Sequence, residues 1–385
     1  MRFNGWVDGQ VDSPIAAVYA MADRLRGEGG LLDLAQAAPP YPAAPEVVAH
    51  IAEVARDPRG GAYTEVPGLG KLREAFAAEL RGEHGGAVEA RNVMVTAGCN
   101  QAFCVAATSL AGPGDEIVLP LPYYFNHDMW LGMQGIRPVY LEPGPDLVPR
   151  AADAEALITP RTRAIVLVTP GNPGGATIES REIAAFAALA RRHDLALIID
   201  ETYRSFRGAD APSHTLYADP GWEDTVVTLH SFSKDLALPG YRVGAVVASP
   251  ALIRQACKLM DCAAICAPRI GQEAAWAGLT RAAAWRAERA REIASRRALL
   301  EAAMSARPGG FELLSSGGFF AWIRHPFSGR PTDEVVRDLL TAHRVLVMPG
   351  TAFLPDDRAT LRVSVSNADP TAITTFTHHL HAFGT

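Results

Sequence analysis

Between residues 90 and 250 the chain alternates short apolar runs with longer stretches of helical periodicity. The runs are "NVMVTAG" (92–98), "DEIVLPLP" (115–122), "RAIVLVTPGNPGG" (163–175), "LALIIDETY" (195–203), "TVVTLHSFS" (225–233) and "VGAVVAS" (243–249). Several are continuously apolar and rich in β-branched residues, without polar alternation. That pattern predicts strands covered on both faces of a mostly parallel sheet. "QAFCVAATSLAG" (101–112) reads as the helix that follows the first strand, closed by Gly112. The layers predicted are those of an α/β protein.

From 274 to 304, "AAWAGLTRAAAWRAERAREIASRRALLEAAM" has no proline and one glycine, Gly278, and predicts a single long helix. Beyond it, "GGFFAWIRHP", a helical "PTDEVVRDLLTAH", "VLVMPGTAF" and "LRVSVSN" predict a compact α+β unit. The expected division is an N-terminal segment, 1–48, packed with the small domain; a large domain, 49–280; and a small C-terminal domain, 281–385.

Composition narrows the function classes. The formal net charge is −6, so no basic surplus points to nucleic acid or an anionic membrane. The N-terminus lacks an apolar stretch behind a basic start, and no run reaches the length of a membrane span. Five cysteines, at 99, 104, 257, 262 and 266, are too sparse for a disulfide framework and point to a reducing cytoplasm. The 257/262/266 cluster lacks the close pairs of a zinc site and reads as small buried apolar residues, and no metal is expected.

In an open parallel sheet, ligands bind beyond the carboxyl ends of the strands. Gly98, Cys99 and Asn100 stand after the first strand, where free helix N–H groups could cradle an anion. Asn172 follows the third, in a segment that also reads as an ordinary Asn-Pro turn. Asp200, Glu201, Thr202 and Tyr203 follow the fourth; an acid directly after five apolar residues is a helix cap or a partnered buried carboxylate. Then come Ser231, Ser233 and Lys234, with Arg242 eight residues past the lysine. Lys234 is one of three lysines among 36 Lys and Arg positions, the others being Lys71 and Lys258. Two hydroxyls, a lysine and an arginine at one strand end suit a phosphate beside an amine that reacts covalently. A desolvated lysine among cations has a lowered pKa and is a competent nucleophile.

"SFSKDLALPGYRVG" (231–244) resembles the lysine signature of pyridoxal 5′-phosphate (PLP) aminotransferases of class I/II, fold type I. The likeness runs from about Ser13 to about Asn367 with its motifs in family order. It implies a large domain with a mostly parallel sheet flanked by helices and a smaller α+β domain. It also implies a role for each position. Lys234 would hold the cofactor covalently and move the proton at the substrate's α-carbon. Asp200, in "D-E-x-Y", would pair with the pyridinium nitrogen, and Asn172 and Tyr203 would meet the ring's phenolic oxygen. Ser231, Arg242 and the N–H groups of Cys99 and Asn100, beside Gly98, would hold the phosphate, with Ser233 a weaker candidate. Tyr124 in "PLPYYFNHD" would stack on the ring, Tyr123 being the alternative register. Arg362 in "LRVSVSN" would grip the substrate α-carboxylate as a planar fork. Tyr63 in "YTEVPGLGKLREA" would reach the neighbouring subunit's phosphate site, which makes the expected protein a homodimer with shared sites.

The chain also departs from the pattern. Ala37, in "LAQAAPPYP", takes the place of a glycine and narrows the substrate side. No second arginine for a side-chain carboxylate stands out, and Asp261 reads as a surface acid rather than a partner for a cationic substrate. Trp6, Ile15, Tyr41 and the neighbourhood of Tyr123 suggest room for an apolar or aromatic side chain. The resemblance therefore implies transfer of an L-amino acid's amino group to a 2-oxo acid. A β/γ-eliminating C–S lyase on the same residues and a non-catalytic PLP- or amino-acid-binding regulator are the alternatives.

Overall fold

A computed structural model of the chain describes residues 1–26, 29–208 and 212–384. A short strand, β1 (Leu32–Asp33), comes first. Seven more form the central sheet: β2 (Val93–Thr96), β3 (Glu116–Pro120), β4 (Arg137–Leu141), β5 (Thr162–Val168), β6 (Ala196–Asp200), β7 (Val226–Ser231) and β8 (Gly244–Val247). Their order is β2-β8-β7-β6-β5-β3-β4, and β8 alone runs antiparallel to its neighbours.

The continuous apolar runs are explained by two cores, one on each face. Val93, Val95, Ile165, Leu167, Leu197 and Ile199 point into one, and the intervening Met94, Ala164, Val166 and Ile198 into the other. Period-two geometry sends neighbours to opposite sides, and both sides are dry. Phe76 on the helix Gly70–His84, Phe186 on Ser180–Arg192 and Ala274 on Arg269–Arg281 fill the first core. Phe103 on Cys99–Leu110 and Ile253 on Pro250–Ala264 fill the second.

A second sheet, antiparallel, has the order β12-β13-β10-β9, built from β9 (Glu312–Gly317), β10 (Phe320–Arg324), β12 (Met348–Pro349) and β13 (Thr360–Ser364). Between them in sequence, β11 (Val345–Leu346) pairs in parallel with β1, so the early chain reaches into this unit. The helix Gly5–Asp8 does not follow it there. It contacts the helix Phe125–Met133 beside the central sheet, with the Trp6 ring laid over Gly135.

Three expectations need correction. The single long helix is two, Arg269–Arg281 and Ala283–Met304, broken at Ala282, whose backbone is off-helix at φ −113 and ψ 26. Arg137–Leu141, an edge strand opening on Arg-Pro, was not expected. Of the 257/262/266 cysteines, Cys262 is exposed and Cys257 half-buried, so only Cys266 fits the reading as a buried apolar residue. All five are free thiols. Among the described residues no helix is long and apolar enough to cross a membrane.

Candidate active site

The C-terminal ends of β2, β5, β6 and β7 open onto a cavity of about 270 Å³, and β13 of the second sheet closes it from the other side. Lys234, Asp200, Asn172, Tyr203, Arg242 and Arg362 all line it. So do Cys99, Asn100, Tyr124, Ser231, Ser233 and Ala37.

The lysine sits one turn past β7. Ser231 caps the short helix Phe232–Asp235, its hydroxyl accepting the Ser233 N–H at 3.2 Å, and this turns Lys234 toward the cavity. The Lys234 Nζ donates to the Ala37 carbonyl at 2.5 Å. Burial, and then the Arg362 and Arg242 guanidinium charges, lower its pKa to about 8. The amine is thus within reach of its nucleophilic, neutral form near neutrality.

Asp200 ends β6 and is 5 % exposed. Its Oδ1 accepts the Thr202 N–H at 2.9 Å and lies 3.7 Å from the Cys99 thiol. Its Oδ2 is 3.4 Å from His127 Nε2. Burial pushes the carboxyl upward, but His127 and the Thr202 hydrogen bonds outweigh it and hold the pKa below the ordinary value. A buried, ionised carboxylate facing a cavity is what a protonated ring nitrogen needs opposite it.

The phosphate end is built by close approach. Gly98 has φ +89, and a Cβ there would stand 2.4 Å from an Arg242 guanidinium nitrogen. Arg242 itself has φ +49 and donates to the Pro239 carbonyl at 2.8 Å. The helix Cys99–Leu110 starts directly after Gly98 with no side-chain cap, so its first N–H groups face the same space. Tyr124 stands across from them, its hydroxyl bonded to Asn100 at 3.2 Å and to Asn126 at 2.9 Å.

On the opposite side, Arg362 of β13 is 4 % exposed between the rings of Phe320 and Phe353, at 5.0 and 4.9 Å. One nitrogen donates to Asn172 Oδ1 at 3.0 Å and another to the Ala35 carbonyl, while its buried Nε has no partner. Burial lowers its pKa to about 10, which still leaves it charged at neutrality. A desolvated guanidinium with an unused donor is a carboxylate receptor.

These features fit PLP: an aldehyde-reactive amine, a carboxylate, an anion cradle that a Cβ would fill, and an aromatic wall.

Other expected residues fall elsewhere. Tyr63 is 74 % exposed and lines a separate surface hollow beside Ala97 and Cys266. Tyr123 is buried against Tyr140, outside the cavity wall, so the register with Tyr124 is the one the fold uses. Trp6 and Tyr41 are not on the wall. Tyr41 instead meets Trp285 edge-on at 5.5 Å, while Ile15 does line the cavity. Asp261 is exposed on Pro250–Ala264, away from the wall.

His127 and Thr202 were missed. His127 stands three residues after Tyr124 on one helix, a spacing that puts both on one face. Glu201 turns away from the cavity, into a buried group with His84 and His214. Their rings stack at 4.4 Å, and the Leu216 N–H donates to His214 Nδ1. That leaves the His214 proton on Nε2, facing Glu201 at 3.5 Å, which compensates a buried charge rather than offering a lone pair to a metal.

Residues 30–380 match the family model of aminotransferases, class I and II. The chain is 34% identical to the arginine–pyruvate transaminase of Pseudomonas aeruginosa, over 80% of this chain and 79% of that protein. It is 31% identical to an aromatic aminotransferase of Arabidopsis thaliana, over 78% of this chain and 77% of that one. In three dimensions it superposes on the aspartate aminotransferase of Thermus thermophilus solved with maleate, with a TM-score of 0.91 at 26% identity over the whole of both chains. A cavity built for PLP thus lies on a fold already known to carry that chemistry, and the chain belongs to the class I and II aminotransferases, as a PLP-dependent transaminase.

Proposed function

We propose that this transaminase works through Lys234 as the covalent anchor of PLP and the carrier of the proton at the substrate's α-carbon. The observation that carries the reading is the placement of that one amine on a cavity wall shared with Arg242, Arg362 and Asp200. PLP, when bound, supplies an electron sink for charge developing at the α-carbon and carries the amino group between the two half-reactions. Asp200 would hold the ring nitrogen's proton by charge, with His127 and Thr202 orienting the carboxylate. Asn172 and Tyr203 would serve the ring oxygen, and Tyr124 would cover the ring. Ser231, Arg242 and the N–H groups at Gly98, Cys99 and Asn100 would hold the phosphate, with Ser233 as a weaker contributor. Arg362 takes the α-carboxylate of the amino acid, then of the 2-oxo acid, and Ala37 borders it through its carbonyl contact with Lys234.

The working unit in this reading is a homodimer. The exposed Tyr63 lies beside Ala97, next to the phosphate turn, and the exposed Ile265 lies close by, an apolar rim suited to a second copy. The chain divides into a segment 1–48, a large domain 49–280 and a small domain 281–385. Five free thiols support a reducing, cytoplasmic setting.

The test is chemical. Apoprotein given PLP and then borohydride should carry the label on Lys234, found by peptide mass. Lys234→Ala should lose that label and at least ~1,000-fold in turnover, as expected when the group that does the acid–base work is removed. A label on Lys71 or Lys258, or near-normal turnover in the variant, would overturn the assignment. Elimination remains a separate outcome of the same preparation: ammonia released from substrate without an acceptor would indicate the lyase.

A further inference from the structure

The cavity walls beyond the cofactor-binding groups carry a second message, about the substrate's side chain. It rests on the reading above, in which Arg362 fixes the α-carboxylate. Among the described residues the wall presents three cations, Lys234, Arg242 and Arg362, and one carboxylate, Asp200. Each has a task already. Asp200 is committed to His127 and the Thr202 N–H, and its Oδ1 lies 3.7 Å from the Cys99 thiol.

What remains is apolar or neutral. An aromatic arc starts at Arg362 itself. Its guanidinium lies 4.9 Å from the Phe353 ring; Phe353 meets Phe125 at 5.6 Å; and Phe125 meets Tyr124 at 5.1 Å. Phe125 lines the cavity, and Ile15, at the start of the helix Pro14–Arg26, lines it from the N-terminal segment. Of the neutral polar groups nearby, Asn126 donates to the Tyr124 hydroxyl and Gln36 accepts from Tyr19, while Ser13 adds one hydroxyl and no charge.

We infer that the transaminase selects amino acids with large apolar side chains, aromatic above all, and discriminates against both acidic and basic ones. The physical reason is desolvation. A side-chain carboxylate or guanidinium entering this wall would leave water for Ile15 and Phe125 without a counter-charge, which disfavours its binding. A benzyl group would gain from the same surfaces.

The experiment is a single-turnover half-reaction of the PLP-loaded protein with L-phenylalanine, L-aspartate and L-arginine, followed by the cofactor's absorbance. Phenylalanine should be converted with a specificity constant at least ~100-fold above either charged amino acid. Ile15→Arg should narrow the phenylalanine-to-aspartate ratio at least ~10-fold by supplying the missing cation. Phe125→Ala should lower conversion of phenylalanine ~10-fold without raising that of aspartate, which keeps the wall testable if the arginine variant folds poorly. Aspartate or arginine converted as fast as phenylalanine overturns this inference and leaves transamination standing. Conversion of none of the three also overturns this inference, and the borohydride label on Lys234 then decides separately whether the reading beneath it stands.

Discussion

Lys234 illustrates how one residue's neighbours set its chemistry. Desolvation and two guanidinium charges draw its pKa down from 10.5 to about 8. A measurable consequence is that the apoprotein should capture PLP fastest above that value. The apparent rate of covalent capture, followed by absorbance, should rise with pH and reach half its plateau near pH 8, because only the neutral amine attacks. Arg362→Gln should move that midpoint upward, since it removes the positive charge with the larger effect while leaving burial in place. At this scale much was legible in the sequence. The serines, lysine and arginine of "SFSKDLALPGYRVG" sit at one strand end, and strand ends are where ligands bind. His127 was not legible, because its partner Asp200 lies 73 positions later and nothing in "YYFNHDMW" marks the helix face it shares with Tyr124.

Elements were readable where burial is extreme and obscure where it is partial. The strands that end at the site are dry on both faces, so their runs of Val, Ile and Leu stand out. β4 is half-covered at the sheet edge and opens on Arg137-Pro138, which reads as a break. The helix break at Ala282 had no marker either. One turn before it, Gly278 packs so closely on Leu236 that a Cβ would stand 2.7 Å from it. Local signals do work where side chains close the backbone's own bonds. Ser249, just past β8, accepts the Leu252 N–H at 3.1 Å and caps the helix Pro250–Ala264. Ser249→Ala should lower unfolding free energy by ~1 kcal/mol, read as a shift in urea midpoint with no change in the slope.

The whole molecule carries buried ionisable groups whose effect is global. His230 is held neutral by burial, with a pKa near 3 against an ordinary 6.5. Glu201 is also buried, but His214, which faces it at 3.5 Å, outweighs desolvation and keeps its pKa well below the usual 4.5. Both shifts act in one direction. Below about pH 6.5 the unfolded chain takes a proton on His230 that the native one refuses, and further down it takes one on Glu201. Stability is therefore full at neutral pH and falls on acidification, by up to about 1.4 kcal/mol per pH unit for each group titrating. Chemical denaturation at a series of pH values should show this slope beginning near pH 6, and His230→Gln should flatten its first part. The group's assembly was invisible in sequence, since residues 84, 201, 214 and 230 meet only when four separate elements do.

The enclosure of Arg362 between Phe320 and Phe353 has one more consequence. Its charge has already shed most of its water when the chain folds, so an arriving carboxylate meets a receptor whose dehydration is complete. With two phenyl rings against a guanidinium that is only 4 % exposed, the attraction it exerts is shielded far less than that of a surface arginine. Grip on the amino acid's backbone end should consequently vary little with ionic strength, leaving the side-chain wall to decide which amino acid stays.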